Sequence, residues 1–278
     1  MVRVLSFAHL WIAGAAAVTT WASWTWLGMG KDSEIWALWI GLSTGLGYTI
    51  QRAIKHGFDS SSLPPLRRSF WDTWRHAMLG GWASAWMAFT AWNWSDLGLL
   101  DRWPLLVTLA ALGLLYAVVP GKRQGFRASP WLKIPLIATA WALATTPVLE
   151  DLHPQLFASR WLLIAGLTLP FDIRDLAVDQ NRITTVPMAL GGTLSLRIAA
   201  WMLLGSGLCF CASEAWTSQP ALSAIFLAQS VLASAIVASS ALSRALHEGS
   251  ELQRERWTGL VLDGTLWLPL AHAVYVLL

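Results

Sequence analysis

Hydrophobic positions in this chain do not alternate or recur on one helical face; they run on, in blocks broken by short polar or Pro/Gly-containing segments. A helix that crosses a bilayer needs about 20 mostly apolar residues. By that measure the blocks predict nine spanning helices, at about residues 4–29, 34–54, 75–95, 103–120, 131–149, 155–174, 188–211, 220–243 and 257–277. The first block lacks a small-residue cleavage site after a short apolar core, so it reads as a retained span and not as a signal peptide.

If the spans alternate in direction, the loops fall on two sides, and the basic residues test the arrangement. Of the 19 Lys and Arg, all but Lys31, Arg102 and Arg160 fall on one side. Basic residues are retained on the cytoplasmic side, which predicts a cell-membrane protein with a cytoplasmic N-terminus and cytoplasmic loops after spans 2, 4, 6 and 8. Composition agrees. Hydrophobic residues make up 55% and charged residues 13%, with a mean hydropathy of +0.51, whereas soluble domains carry about 25% charged residues. The basic pI near 9.1 therefore reflects membrane topology, and nucleic acid is excluded as a partner. The expected fold class is all-α, one domain over residues 1–278, with the helices around a central cavity open to lipid.

Cys209 and Cys211, one residue apart in an apolar run, suit neither a disulfide framework nor a metal knuckle. Trp21, Trp24, Trp26, Trp36, Trp39, Trp92, Trp94 and Trp103 gather near the predicted outer ends of spans. Indole rings favour the headgroup level, so an interfacial belt is expected, with walls around an isoprenoid tail as the alternative.

The end of span 6 is the densest chemistry in the chain. Asp172, Asp175 and Asp179 are three of its 16 acids. At about 100° per residue they fall at about 0°, 300° and 340°, on one face, with Arg174 pointing elsewhere. Carboxylate oxygens at that spacing favour Mg²⁺, which keeps several waters and is completed by substrate phosphates.

The run Asp172-x-Arg174-Asp175-x-x-x-Asp179, followed by Thr185-x-Pro187 and Gly191, resembles the second aspartate-rich motif of the UbiA-type intramembrane prenyltransferases. The nine spans are similar too, as is the end of span 4, with Tyr116, Lys122 and Arg123. The resemblance implies Mg²⁺ as cofactor, a polyprenyl diphosphate donor bound through it, and a hydrophobic acceptor, aromatic or lipid.

The chain departs from that family at the end of span 2. Where the first motif would place acids, the residues are Tyr48, Gln51 and Lys55, which keep the i, i+3, i+7 spacing of the span-6 acids. Two readings follow. In one, a single Mg²⁺ sits on Asp172, Asp175 and Asp179, and Lys55 with Arg52 replaces the second metal at the diphosphate. Lys is a usable point charge for phosphate, and a unit pair about 4 Å apart is worth on the order of 4 kcal/mol at an effective dielectric of 20. In the other, loss of the motif means loss of prenyl transfer, leaving a related fold that binds lipid, transports, or acts as a cyclase. The catalytic candidates are Asp175, Asp179 and Lys55; Arg52, Tyr48, Gln51, Tyr116, Lys122, Arg123 and Asp263 are the substrate-binding candidates.

Asp263 lies inside the last span, where an acid usually faces the bundle interior; it is expected to position an acceptor or to pair with a cation such as Lys133, which otherwise reads as an interfacial anchor. Arg67 and Arg68 read as a positive rim or as headgroup contacts. His56 and His76 read as solvated. Residues 247–256 read as a short charged surface helix, at most a lid.

Overall fold

The computed structural model describes residues 2–29, 32–58, 63–117, 129–149, 153–179, 183–211 and 219–272, and these are helical throughout apart from turns and short connections. The helices are α1 (Val2–Phe7), α2 (Leu10–Trp26), α3 (Asp32–Phe58), α4 (Pro65–Trp92), α5 (Trp94–Leu97), α6 (Trp103–Ala117), α7 (Pro130–Thr145) and α8 (Pro154–Arg174). They continue as α9 (Leu176–Asp179), α10 (Val186–Leu190), α11 (Gly192–Cys211), α12 (Pro220–Ala238), α13 (Ser240–Glu248) and α14 (Glu251–Glu255). A π-helical segment, Arg256–Leu262, follows directly, then a 3₁₀ turn at Thr265–Trp267.

Helices occupy the predicted apolar stretches. Among the described residues three of them, α8, α11 and α12, are long and apolar enough to cross a membrane by length and composition, and the predicted spans 103–120 and 257–277 run past the described residues. The first block is divided at His9 into α1 and the 17 residues of α2.

Neighbours in the bundle are largely neighbours in sequence: α2 packs on α3, α3 on α4, α6 on α7, α7 on α8, α8 on α11 and α11 on α12. The largest apolar core lies among α7, α8, α11 and α12, around Ala138, Leu163, Leu167, Ala199, Leu203 and Ala233. Gly166 lets α8 and α11 approach: a Cβ there would lie 2.8 Å from Leu203 Cγ and 3.0 Å from the Ala199 carbonyl oxygen.

Several hydroxyls on these helices bond to the helix's own backbone. Thr20, Ser23, Thr90, Thr145 and Thr168 each donate to the carbonyl four residues earlier, at 2.7–2.8 Å, the bonding that an apolar surround demands.

The tryptophans divide. Trp92, Trp94 and Trp103 are exposed on the bundle surface, as a belt requires, but Trp24, Trp36 and Trp39 are buried. Trp36 stacks on Trp39 at 5.0 Å between ring centres, and the Arg102 guanidinium lies 4.9 Å over the Trp36 ring. These indoles form core because the end of α2 packs against the start of α3.

Candidate active site at one end of the bundle

The acids of α8 and the ends of α3, α4, α7 and the π-helical segment meet at one end of the bundle. Pro170 has no amide hydrogen to give the Gly166 carbonyl, so α8 loses a rung two residues before Asp172. The helix stops at Asp175, and α9 carries Asp179.

Each acid has a different environment. Asp172 is buried, and one of its oxygens is paired with Lys133 of α7; its Oδ2 is buried with no partner. Asp175 accepts from Arg174, Nε to Oδ1 at 2.8 Å and Nη2 to Oδ2 at 2.9 Å. Asp179 is buried, within electrostatic range of Lys133 and Asp172. Among the described residues no three His, Cys, Asp or Glu side chains stand together as a metal-binding group.

Two expectations are corrected here. Arg174 does not point away from the acids: with α8 ended, its side chain folds back on Asp175. Lys133 is neither a headgroup anchor nor the partner of Asp263, because α7 packs on α8 at the height of Asp172 and so claims that carboxylate.

A second cluster adjoins the first. Glu255 is buried between two guanidiniums, paired with Arg67 of α4 and, at 3.2 Å, with Arg174 Nη1, and it accepts from Ser6 of α1. Arg174 Nη1 also donates to Thr258 Oγ1 at 3.2 Å. Burial pushes the Glu255 carboxyl up, but Arg67 and Arg174 outweigh it and hold it at about 2. Gly259 makes the seat: a Cβ there would lie 2.8 Å from Glu255 Oε1 and 2.9 Å from Ser6 Oγ. One turn earlier, Glu251 accepts from the amides of Leu66 and Arg67, at 3.2 and 3.3 Å. These are open N–H groups of α4, whose own N-cap, Pro64, offers no side-chain bond. The segment taken for a charged surface helix is thus pinned to α1, α4 and α8, and Arg67 is a buried partner of Glu255, not a headgroup contact.

Arg52 lies on the α3 face turned to this cluster, within electrostatic range of Arg67, Glu255, Arg174 and Asp175, and forms no ion pair of its own among the described residues. One turn inward, Tyr48 lies in the range of Asp263, Tyr116 and Arg52. Asp263 is buried, within electrostatic range of Arg174 and Glu255. Gln51 is half-buried on the same helix. The side chain of Lys55 lies outside the described residues, as do Lys122 and Arg123.

Sequence reasoning missed His9. Its backbone is left-handed, with φ 62°, between α1 and α2, a conformation that costs a residue with a Cβ on the order of 1 kcal/mol. The buried ring is bonded through Nδ1 to Thr49 Oγ1 at 3.0 Å, next to Tyr48, and its Nε2 is buried without a partner. The only signal in the sequence was an imidazole inside an apolar block.

No family model matches the sequence, and no curated protein matches it. Among solved structures, that of a UbiA homolog from Archaeoglobus fulgidus bound to GPP and Mg²⁺ superimposes with a TM-score of 0.58, covering 97% of this chain and 99% of that one. The chain has the UbiA fold. At 13% identity the likeness concerns backbone arrangement, that of an all-α membrane protein.

Proposed function

We propose that this protein is an intramembrane prenyltransferase-like enzyme, taking a polyprenyl diphosphate as donor and a hydrophobic aromatic or lipid acceptor. One observation carries the reading: the guanidiniums of Arg52, Arg67 and Arg174 converge beside the acids of α8, in a fold whose solved relative was bound to GPP and Mg²⁺.

Three cations facing one space recognise a polyanion. Arg is suited to phosphate because its fork donates in parallel to two oxygens. Among the described residues Arg52 is the one of the three that pairs with no carboxylate, so it is the first contact for a diphosphate, with Lys55, three residues further along the sequence, as the second. The residues present fit one Mg²⁺ better than two. Asp172 through its orphaned Oδ2 and Asp179 are the carboxylates available, and two carboxylates completed by phosphate oxygens are an ordinary Mg²⁺ set; Asp175 is held by Arg174. When bound, the metal would neutralise charge on the leaving diphosphate. The chain's own part is to bind and orient: Arg52, Arg67 and Arg174 hold the diphosphate as the donor's C–O bond breaks, Lys133 positions Asp172, and Tyr48, Tyr116 and Asp263 line the deeper space where an acceptor meets the prenyl carbon. The apolar tail runs between helices. On this reading the Asp-rich end faces the cytoplasm.

A second reading rests on a specific observation. Lys133, Arg174 and Arg67 already neutralise Asp172, Asp175 and Glu255, so the end is charge-balanced without metal or diphosphate, as in a UbiA-fold protein that binds lipid and transfers nothing.

The test is diphosphate release and prenyl transfer from a panel of polyprenyl diphosphates by the purified protein in lipid, with and without Mg²⁺, beside an Asp172→Asn, Asp179→Asn variant. Metal-dependent release lost in the variant supports the transferase. Mg²⁺-independent lipid binding with no release establishes the second reading.

A further inference from the structure

Helix α13 begins at Ser240, two residues past the end of α12, which is long and apolar enough to cross a membrane. It therefore lies at headgroup level. His247 places it over the start of a second such helix, since a Cβ on Gly192 of α11 would lie 3.1 Å from the His247 Nε2. Between α13 and the segment that follows is an open cleft of about 370 Å³, within the range of about 300–1,000 Å³ that ligand sites occupy.

Helical spacing builds the cleft. Ala241, Ala245 and Gly249 recur every four residues on one face of α13, and their short side chains give the cleft its depth. Arg244 and Glu248, again four apart, stand exposed beside them, and Gln253 and Trp257 line the other side. The turn joining the two sides is fixed. Ser250 and Gln253 form a capping box, and Arg254 Nε donates to the Gly249 carbonyl at 3.1 Å.

Arg244 and Glu248 form neither an ion pair nor a hydrogen bond among the described residues, although their spacing suits a pair. Gln253 Oε1 accepts from the Ser250 amide at 2.9 Å, which leaves both hydrogens of its Nε2 to donate. The cleft thus offers a guanidinium and an amide as donors, a carboxylate as acceptor, and one indole, with no net charge. A guanidinium fork matches two oxygens of a phosphate group. The carboxylate suits a primary ammonium, which has three hydrogens to donate, whereas quaternary ammonium groups are recognised by aromatic cages, and here there is a single ring. An anionic headgroup gains little where Glu248 offsets Arg244. The indole of Trp257 favours the same headgroup level.

We infer that this cleft binds the headgroup of phosphatidylethanolamine, with its phosphate on Arg244 and Gln253 and its ammonium on Glu248. The lipid bridges α13 and α14 across the turn at Gly249. Its binding is independent of prenyl transfer and of the acids of α8.

Native mass spectrometry of the purified full chain, released from nanodiscs holding phosphatidylethanolamine, phosphatidylcholine and phosphatidylglycerol in equal parts, tests this. The wild type should retain phosphatidylethanolamine in preference to the other two. Glu248→Gln should reduce that preference about fivefold, the weight of one interfacial charge; Arg244→Gln should weaken retention of all three lipids, and Glu248→Lys should turn the preference to phosphatidylglycerol. Arg256→Gln, at an exposed arginine outside the cleft, should change nothing. Equal retention of the three lipids by the wild type, or a preference for either other lipid, overturns the inference, as does a preference that survives Glu248→Gln or is lost in Arg256→Gln. Displacement of the lipid by an equal concentration of soluble glycerophosphoethanolamine also overturns it, by assigning the cleft to a free phosphodiester.

Discussion

Lys133 and Asp172 form a buried ion pair that ties α7 to α8 at the end of the bundle where the acids gather. The pair leaves the second oxygen of Asp172 open, so one carboxylate is at once structural and available.

Removing one partner of that pair strands a buried charge. Lys133→Met should cost about 3–5 kcal/mol of stability, and the double variant Lys133→Met, Asp172→Leu should cost less than either single change. Chemical unfolding in detergent across this cycle measures it, and strictly additive costs would mean that the two side chains do not act on each other.

Glu255 makes a pH dependence. Its carboxyl is held at about 2 in the folded protein, below its ordinary value of 4.5, so it contributes stability that is complete above about pH 4.5 and lost as the pH falls toward 2. The unfolding midpoint should drop over that interval, and Glu255→Gln should flatten the drop while lowering the midpoint at neutral pH. A variant with the wild-type pH profile would mean that other carboxyls carry the effect.

Glu251 caps a helix it does not belong to. Glu251→Ala removes the acceptor for the Leu66 and Arg67 amides and should destabilise by about 0.5–2 kcal/mol, the usual cost of a lost cap. Glu251→Gln keeps an acceptor oxygen and should recover part of it. Amide exchange at the start of α4 should quicken in the alanine variant, and less in the glutamine variant.

Gly166 and Gly113 should answer differently to the same substitution. A Cβ at Gly166 meets Leu203 and the Ala199 carbonyl, while at Gly113 nothing lies within 4 Å. Gly166→Ala should cost about 1–3 kcal/mol through overpacking, and Gly113→Ala should be neutral or stabilise by up to about 1 kcal/mol. Thermal unfolding of the two variants side by side checks the contrast.

The helices and the general position of the site were legible in the chain because both follow from local cost. An unbroken apolar block must bond its own backbone, and an acid at a block's end stands out against it. The resemblance at Asp172, Asp175 and Asp179 led to the fold that the superposition bears out. What remained hidden were choices of partner. Arg174 could be turned away from Asp175 on an ideal helical wheel, but α8 ends there and the wheel no longer applies. Glu255 looked like one of several surface charges, although Arg67, its partner, is 188 residues away in the chain.

By itself, then, the sequence determined an all-α membrane protein, with acids at the end of α8. Only the tertiary structure decided that Lys133 neutralises Asp172 and that Glu255 lies between Arg67 and Arg174. The division is physical. Apolar length and backbone satisfaction are summed along a chain, whereas the energy of a charge depends on which other helix stands a few ångströms away.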